Sequence, residues 1–216
     1  MAAIDHWGGG RDVLIAVDLQ NDFFPGGALA VAGADRILPI INRLARRFRH
    51  VVLTQDWHPR GHTSFASSHP GRMPLDSITL SYGAQILWPD HCRQDSPGAA
   101  FVEGLDIPHA ELILRKGCDP GIDSYSAFFE NDRKTSTGLT GYLKERGVKR
   151  IMLAGLAFDF CVRYSAEDAK KCGFDVVVAE DACGAIDIAD SAAQTRRLFG
   201  SLSIGLISAA DVGAGS

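Results

Sequence analysis

No stretch of this sequence concentrates charge of one sign. Basic residues run no longer than pairs such as Arg46-Arg47, Lys170-Lys171 and Arg196-Arg197, and the formal net charge is −4. That excludes the electrostatic footprint of a nucleic-acid-binding protein. No apolar run approaches membrane-spanning length, so no membrane partner is expected. The first eleven residues are polar and glycine-rich, without the basic-then-apolar order of a secretion signal, and read as a flexible N-terminal extension, 1–11. The five cysteines (Cys92, Cys118, Cys161, Cys172, Cys183) include no CxxC pair. A zinc ribbon or redox dithiol is thereby excluded, and a reducing cytoplasm suits them. Internal repeats and low-complexity tracts are missing too.

What remains is a chain with 46% apolar and 22% charged residues, proportions of one globular domain over 12–216. DVLIAVD (12–18) is a continuous apolar run ending in an acid, the pattern of a strand buried on both faces of a parallel sheet. Helical spacing follows over 35–48, with Ile37, Leu38, Ile40, Ile41, Leu44, Ala45 and Phe48 on one face. Further strands are predicted at 51–54, 112–114, 150–154, 176–179 and 203–207, and further helices at 139–146, 161–172 and 191–199. Strands alternating with helices predict a three-layer α/β/α sandwich around a mainly parallel six-stranded sheet. Only the segment from about 55 to 110 breaks the alternation. It is rich in His, Pro, Ser and Gly, and a loop-rich insertion of that length in a compact domain is usually functional.

In parallel sheets, active sites form at the carboxyl ends of strands. Asp18, Asp56, Lys116 and Cys161 all fall at or just past such ends. Cys161 follows IMLAG and opens a predicted helix, where the positive end of the helix dipole favours a thiolate nucleophile. Alone, a cysteine at a strand-helix junction is more often a small buried apolar residue. Asp18 and Lys116 are a structural ion pair, separate solvated strand ends, or the base and cation that complete a triad with Cys161. Asp56 and His58, followed by His62 and later His91, mix carboxylate and imidazole in a way that suits zinc, iron or manganese; surface or hydrogen-bonding roles are the alternative. Phe23 and Trp88 are either core aromatics or walls for a flat ring.

Ordered motifs carry a resemblance. AVDLQNDFFPGGALAV (16–31), LTQDWHPRGHTSF (53–65), LWPDHC (87–92), RKG (115–117), DSYSAF (123–128) and GLAFDFCV (155–162) resemble the nicotinamidases, pyrazinamidase-type members of the isochorismatase-like cysteine hydrolases, from Val13 to about Ile207. The resemblance implies an isochorismatase-like fold, Asp18, Lys116 and Cys161 as catalytic triad, and Asp56, His58 and His91 as ligands of one divalent metal ion. Zinc is the first candidate, with iron or manganese as alternatives. His62 matches a position whose ligation varies. Phe23 and Trp88 match the pocket walls. A cis peptide is implied at Leu156–Ala157, aiming the Ala157 N–H, with that of Cys161, at a developing oxyanion. Phe158 departs from the small polar residue common at its position; it either narrows the pocket or points into the core.

The activity so implied is metal-dependent hydrolysis of nicotinamide to nicotinate and ammonia through a thioester, in NAD salvage, extending to pyrazinamide. The partner is then a small molecule, and self-association is left open. The nearest alternative is an amidase for carbamoyl or ureido substrates, against which the histidine-rich segment argues. An isochorismatase is disfavoured because vinyl ether hydrolysis needs no cysteine nucleophile. A non-catalytic binding module has no need for Asp18, Lys116 and Cys161 together.

Overall fold

In the computed structural model, which describes residues 7–213, the first strand, β1 (Asp12–Val17), is buried at every position. Its side chains alternate between two cores. Leu14 and Ala16 face Ile37, Ile41 and Leu44 of helix α1 (Ala34–Ala45), whereas Val13, Ile15 and Val17 face the opposite layer. This period of two, with both faces covered by helices, explains why the strand reads as one unbroken apolar run.

Strand β2 (His50–Asp56) follows α1, and the chain then leaves the sheet until β5 (Leu112–Lys116). Next come α2 (Leu139–Glu145), β6 (Arg150–Leu156), α3 (Arg163–Lys171), β7 (Asp175–Gly184), α4 (Ser191–Ser201) and β8 (Gly205–Ile207). All neighbours in the six-stranded sheet are parallel, in the order β5-β2-β1-β6-β7-β8. The second core gathers Leu139 and Leu143 of α2, Ala166 and Ala169 of α3 and Phe199 of α4, so the three-layer α/β/α expectation holds. Strand order reverses at β1, between β2 and β6. A crevice opens at such a switch point beyond the carboxyl ends.

Three local differences from the sequence reading matter. The long insertion contains a hairpin, β3 (Ser77–Leu80) with β4 (Gly83–Ile86), too short to show a strand period in sequence. The predicted helix at 161–172 begins earlier, as a π-helical turn over Phe158–Val162 in which Val162 N–H reaches Ala157 O at 3.1 Å. Cys161 therefore sits inside that turn and does not open an α-helix. Strand β7 runs on to Gly184 past an irregularity where Gly155 pairs with Cys183.

Residues 1–6 of the expected flexible extension lie outside the described residues. Beyond them, Trp7 packs on Phe48 with ring centroids 6.3 Å apart and lies 4.6 Å beneath the Arg150 guanidinium. Asp12 accepts from the Gly8 and Gly9 N–H groups, so 7–11 is tied to the sheet. Among the described residues no helix is long and apolar enough to cross a membrane.

Candidate active site

Four strand ends converge on one ammonium. Lys116, the last residue of β5, is completely buried, with Nζ 2.9 Å from Asp18 Oδ2, hydrogen-bonded to Asp56 Oδ1, 3.0 Å from Ser124 O and 3.4 Å from Cys161 Sγ. Asp18 leaves β1 in the left-handed region (φ 53°), uncommon for a residue with a Cβ. Thr54 of β2 locks it there: its hydroxyl donates to Asp18 Oδ1 (2.6 Å) and accepts from Asp18 N–H (3.1 Å). The Asp18 Oδ2 atom, facing Lys116, accepts no well-aligned hydrogen bond. Ligand atoms of Asp18, Asp56 and Cys161 lie within 4.8 Å of one another. Gly155 permits this closeness, since a Cβ there would stand 2.2 Å from Val17 O.

Charges in this cluster are mutually dependent. Burial pushes the Cys161 thiol well above its ordinary value; Lys116 pulls it down, while Asp18 and Asp56 push it up again. A preformed thiolate, expected from a place at the opening of a helix, is thus opposed by burial, and forming one calls for a nearby base. Asp18 fits that task. Its own pKa is raised, by burial first and Asp56 next, against the pull of Lys116 and Thr54. Burial also works to raise Asp56, but the Lys116 ammonium, joined by the neighbouring His58 and His91 imidazoles, outweighs it and holds the carboxyl well below the usual range. Lys116 stays protonated because its two carboxylate neighbours overcome its desolvation.

The other oxygen of Asp56 looks toward two imidazoles. Asp56 Oδ2 lies 3.7 Å from His58 Nε2 and 3.7 Å from His91 Nε2. His58 Nδ1 is 3.0 Å from Gly117 O and His91 Nδ1 is 2.8 Å from Pro89 O. A carbonyl can only accept, so each Nδ1 carries a hydrogen and it is the Nε2 of each ring that faces Asp56. That is the arrangement in which backbone acceptors orient histidine ligands for a metal. These three donors suit a divalent cation such as zinc, iron or manganese. Gly117 has to be glycine here, since a Cβ would lie 2.5 Å from the His58 ring. Gln20, also buried, brackets the Asp56 backbone, its amide accepting from Asp56 N–H and donating to Asp56 O, both at 2.8 Å.

His62 stacks on His58 with ring centroids 4.2 Å apart, outside the Asp56–His58–His91 cluster, and its donor atoms group with those of His58 and Asp123. Its Nδ1 is 2.7 Å from Ser64 Oγ and its Nε2 is 3.3 Å from Ile122 O, so both nitrogens are engaged within the protein. Burial and the neighbouring His58 lower its pKa to about 4. A histidine lowered in the folded state binds its proton more readily when unfolded, so its contribution is intact above the unfolded value and is lost as pH falls from about 6.5 toward 4. The difference is worth at most about 3 kcal/mol. Substituting His62→Gln should flatten the decline in melting temperature between pH 7 and pH 4.5; thermal melts of metal-free protein check this, and parallel curves for parent and variant would refute it.

Beside the cluster is a small pocket lined by Phe23, Trp88, His91, Tyr125, Phe160 and Cys161, with Ala157 and Ile186 among its further walls. Trp88 meets Phe160 edge-on at 5.0 Å and donates its indole N–H to Tyr125 Oη at 3.1 Å. The Leu156–Ala157 peptide is cis. Phe158 turns away into the core against Phe199 (5.7 Å), and Phe160, two residues on, is the ring that enters the pocket. Sequence reasoning missed Phe160, Tyr125, Asp123 and Ile186 as lining residues. The motif DSYSAF contains Tyr125 and Asp123, yet nothing in its composition says that they face a cavity.

Set beside known proteins, the chain matches the family described as Isochorismatase domain over residues 12–210. It is 57% identical over 175 residues to a nicotinamidase of Acinetobacter baylyi, covering 81% of this chain and 82% of that one. The solved structure of a nicotinamidase/pyrazinamidase from Acinetobacter baumanii superposes with a TM-score of 0.94 at 51% identity, covering 94% and 99% of the two chains. A pyrazinamidase of Pyrococcus horikoshii, solved in complex with zinc, superposes with a TM-score of 0.76 at 35% identity, covering 92% and 99%.

Proposed function

The chain belongs to the isochorismatase family, and from that premise we propose that it hydrolyses nicotinamide to nicotinate and ammonia, with Cys161 as nucleophile, Asp18 as proton carrier and Lys116 as the cation between them. The observation that carries this reading is the position of the Lys116 ammonium, within hydrogen-bonding reach of Asp18, Asp56 and Cys161 at one end of a pocket with aromatic walls.

Asp18 takes the thiol proton as the sulfur attacks the carboxamide carbon, and Lys116 offsets the negative charge as it forms. The carbonyl oxygen becomes an oxyanion, for which the N–H groups of Ala157 and Cys161 are the donors. Asp18 returns its proton to the nitrogen, the C–N bond breaks, ammonia departs and a thioester remains. Water, deprotonated by Asp18, then attacks the thioester carbon. The C–S bond breaks, nicotinate leaves, and the proton on Asp18 returns to the sulfur. Throughout, Phe23, Trp88 and Phe160 hold the pyridine ring and exclude bulk water.

Asp56, His58 and His91 would hold the divalent ion, zinc by analogy with the Pyrococcus pyrazinamidase, and the ion would supply a Lewis-acidic anchor for the pyridine nitrogen. The same pocket would accept pyrazinamide. NAD salvage in the cytoplasm is the setting this activity fits.

Ammonia release from nicotinamide by the purified protein tests the reading directly, and no release above background would overturn it. Chelation should lower that activity about 100-fold, with recovery on adding zinc, in line with what disturbing ligand shells commonly costs. Full activity after chelation would instead favour the related amidases that act on carbamoyl or ureido substrates, which have no ring nitrogen to anchor.

A further inference from the structure

Asp159 stands two residues before the nucleophile and takes no part in the chemistry above. It is buried, at 1% exposure, and its carboxylate spends itself entirely on a different part of the chain. Oδ1 accepts from Ile186 N–H at 3.0 Å, and Oδ2 accepts from Asp187 N–H at 2.7 Å and from the Ser191 hydroxyl at 2.5 Å. Three donors compensate the buried charge. Their effect is to bind the loop between β7 and α4 to the turn that carries Cys161.

Two further hydrogen bonds tie that loop to α4, Ala192 N–H to Asp187 Oδ1 (3.1 Å) and Gln194 Nε2 to Ala189 O (2.9 Å), whereas the Asp159 carboxylate ties it to the turn that carries Cys161. Asp187, Ala189 and Asp190 all have left-handed backbone (φ 58°, 50° and 60°), a conformation that persists for residues with a Cβ only where surroundings enforce it. Ile186 lines the pocket, and both Ile186 and Ile188 pack on the cluster of Trp88, Ala157 and Phe160. We propose that Asp159 is a positioning residue that fixes this loop as the pocket wall and so sets which substituents on a pyridine carboxamide are admitted. The proposal rests on the pyridine-amide activity for its substrate, and on the Asp159 hydrogen bonds for its mechanism.

The substitutions D159N and S191A grade the clamp. An asparagine oxygen can still accept, but its NH2 cannot accept from Asp187 or Ser191; S191A removes one donor alone. KM for nicotinamide should rise about tenfold in D159N and about threefold in S191A while kcat falls less than about threefold. The ratio of kcat/KM for 5-methylnicotinamide to that for nicotinamide should rise in the same order. Exchange of the Ile186 and Asp187 amide hydrogens should accelerate in D159N.

A role confined to stability would lower the melting temperature and the active fraction but leave KM and the selectivity ratio at parent values, and that result overturns the proposal. Unchanged amide exchange in folded D159N overturns it as well. If D159N does not fold, S191A decides by the same two kinetic measures. Wild-type protein that releases no ammonia would refute the activity alone, and the effect of D159N on amide exchange and on the nicotinate dissociation constant would then judge the clamp.

Discussion

Replacing Cys161 with alanine should abolish ammonia release while nicotinate still binds within a few-fold of the parent affinity. The sulfur forms the only covalent bond between enzyme and substrate in the proposed cycle, so its loss should lower kcat by a factor of about 10^4 or more, as removal of nucleophiles does elsewhere. Binding is a separate matter. The ring walls Phe23, Trp88 and Phe160 and the cluster of Asp56, His58 and His91 are untouched by the change. Single-turnover ammonia assays with calorimetric titration of nicotinate check both halves. Ammonia release by the variant above about 1% of parent would remove Cys161 from the mechanism.

The second large effect concerns Lys116. Substitution by methionine keeps most of the side chain's volume but leaves Asp18 and Asp56 facing each other in a dry interior without a cation between them. Breaking one partner of a buried ionic cluster typically costs about 3–5 kcal/mol. Activity should fall at least about 10^3-fold, because without the ammonium both the Cys161 thiol and the Asp18 carboxyl rise further and the proton transfer between them has no compensating charge.

The pH dependence has a definite sign. In the parent, Asp56 is depressed, so its stabilisation is present above the usual carboxylate range and is lost as pH falls through it. In K116M the carboxylates are raised, and their penalty is relieved by acid. The difference in melting temperature between parent and variant should therefore shrink from pH 7 to pH 4.5 in chelator-treated protein. Equal stability at pH 7, or turnover above about a tenth of parent, would contradict the role given to Lys116.

How far these features were legible in sequence depends on the scale at which each is encoded. β1 was plain because burial on both faces leaves only apolar residues from Val13 to Val17, with Asp12 and Asp18 at the two ends of the run. Asp18, Asp56, Lys116 and Cys161 could be grouped in advance because a parallel sheet delivers all its carboxyl ends to one rim. The hairpin of β3 and β4 could not, since four residues per strand carry too little alternation.

The facing of Phe158 and Phe160 was hidden for another reason. A π-helical turn accommodates an extra residue, which shifts the phase of every side chain within it relative to the α-helical period. The upward push on the Cys161 thiol was equally out of reach: a local argument from the helix dipole favours thiolate, whereas burial depends on the whole fold. The packing of Trp7 on Phe48 and Arg150 likewise joins residues that only the folded sheet brings together.

Asp56 spends one oxygen on Lys116 and turns the other toward His58 and His91. Substitutions at the two ends of the site consequently cannot be combined by simple addition. A change at His91 alters what Asp56 offers Lys116, and a change at Lys116 alters what Asp56 offers the imidazoles, so a double-mutant cycle between residues 91 and 116 should carry a coupling energy of about 1 kcal/mol or more. On the proposed assignment of Asp56, His58 and His91 to a metal and of Cys161 to the attack, an engineer who sets out to change the metal would have to retune the sulfur in the same step.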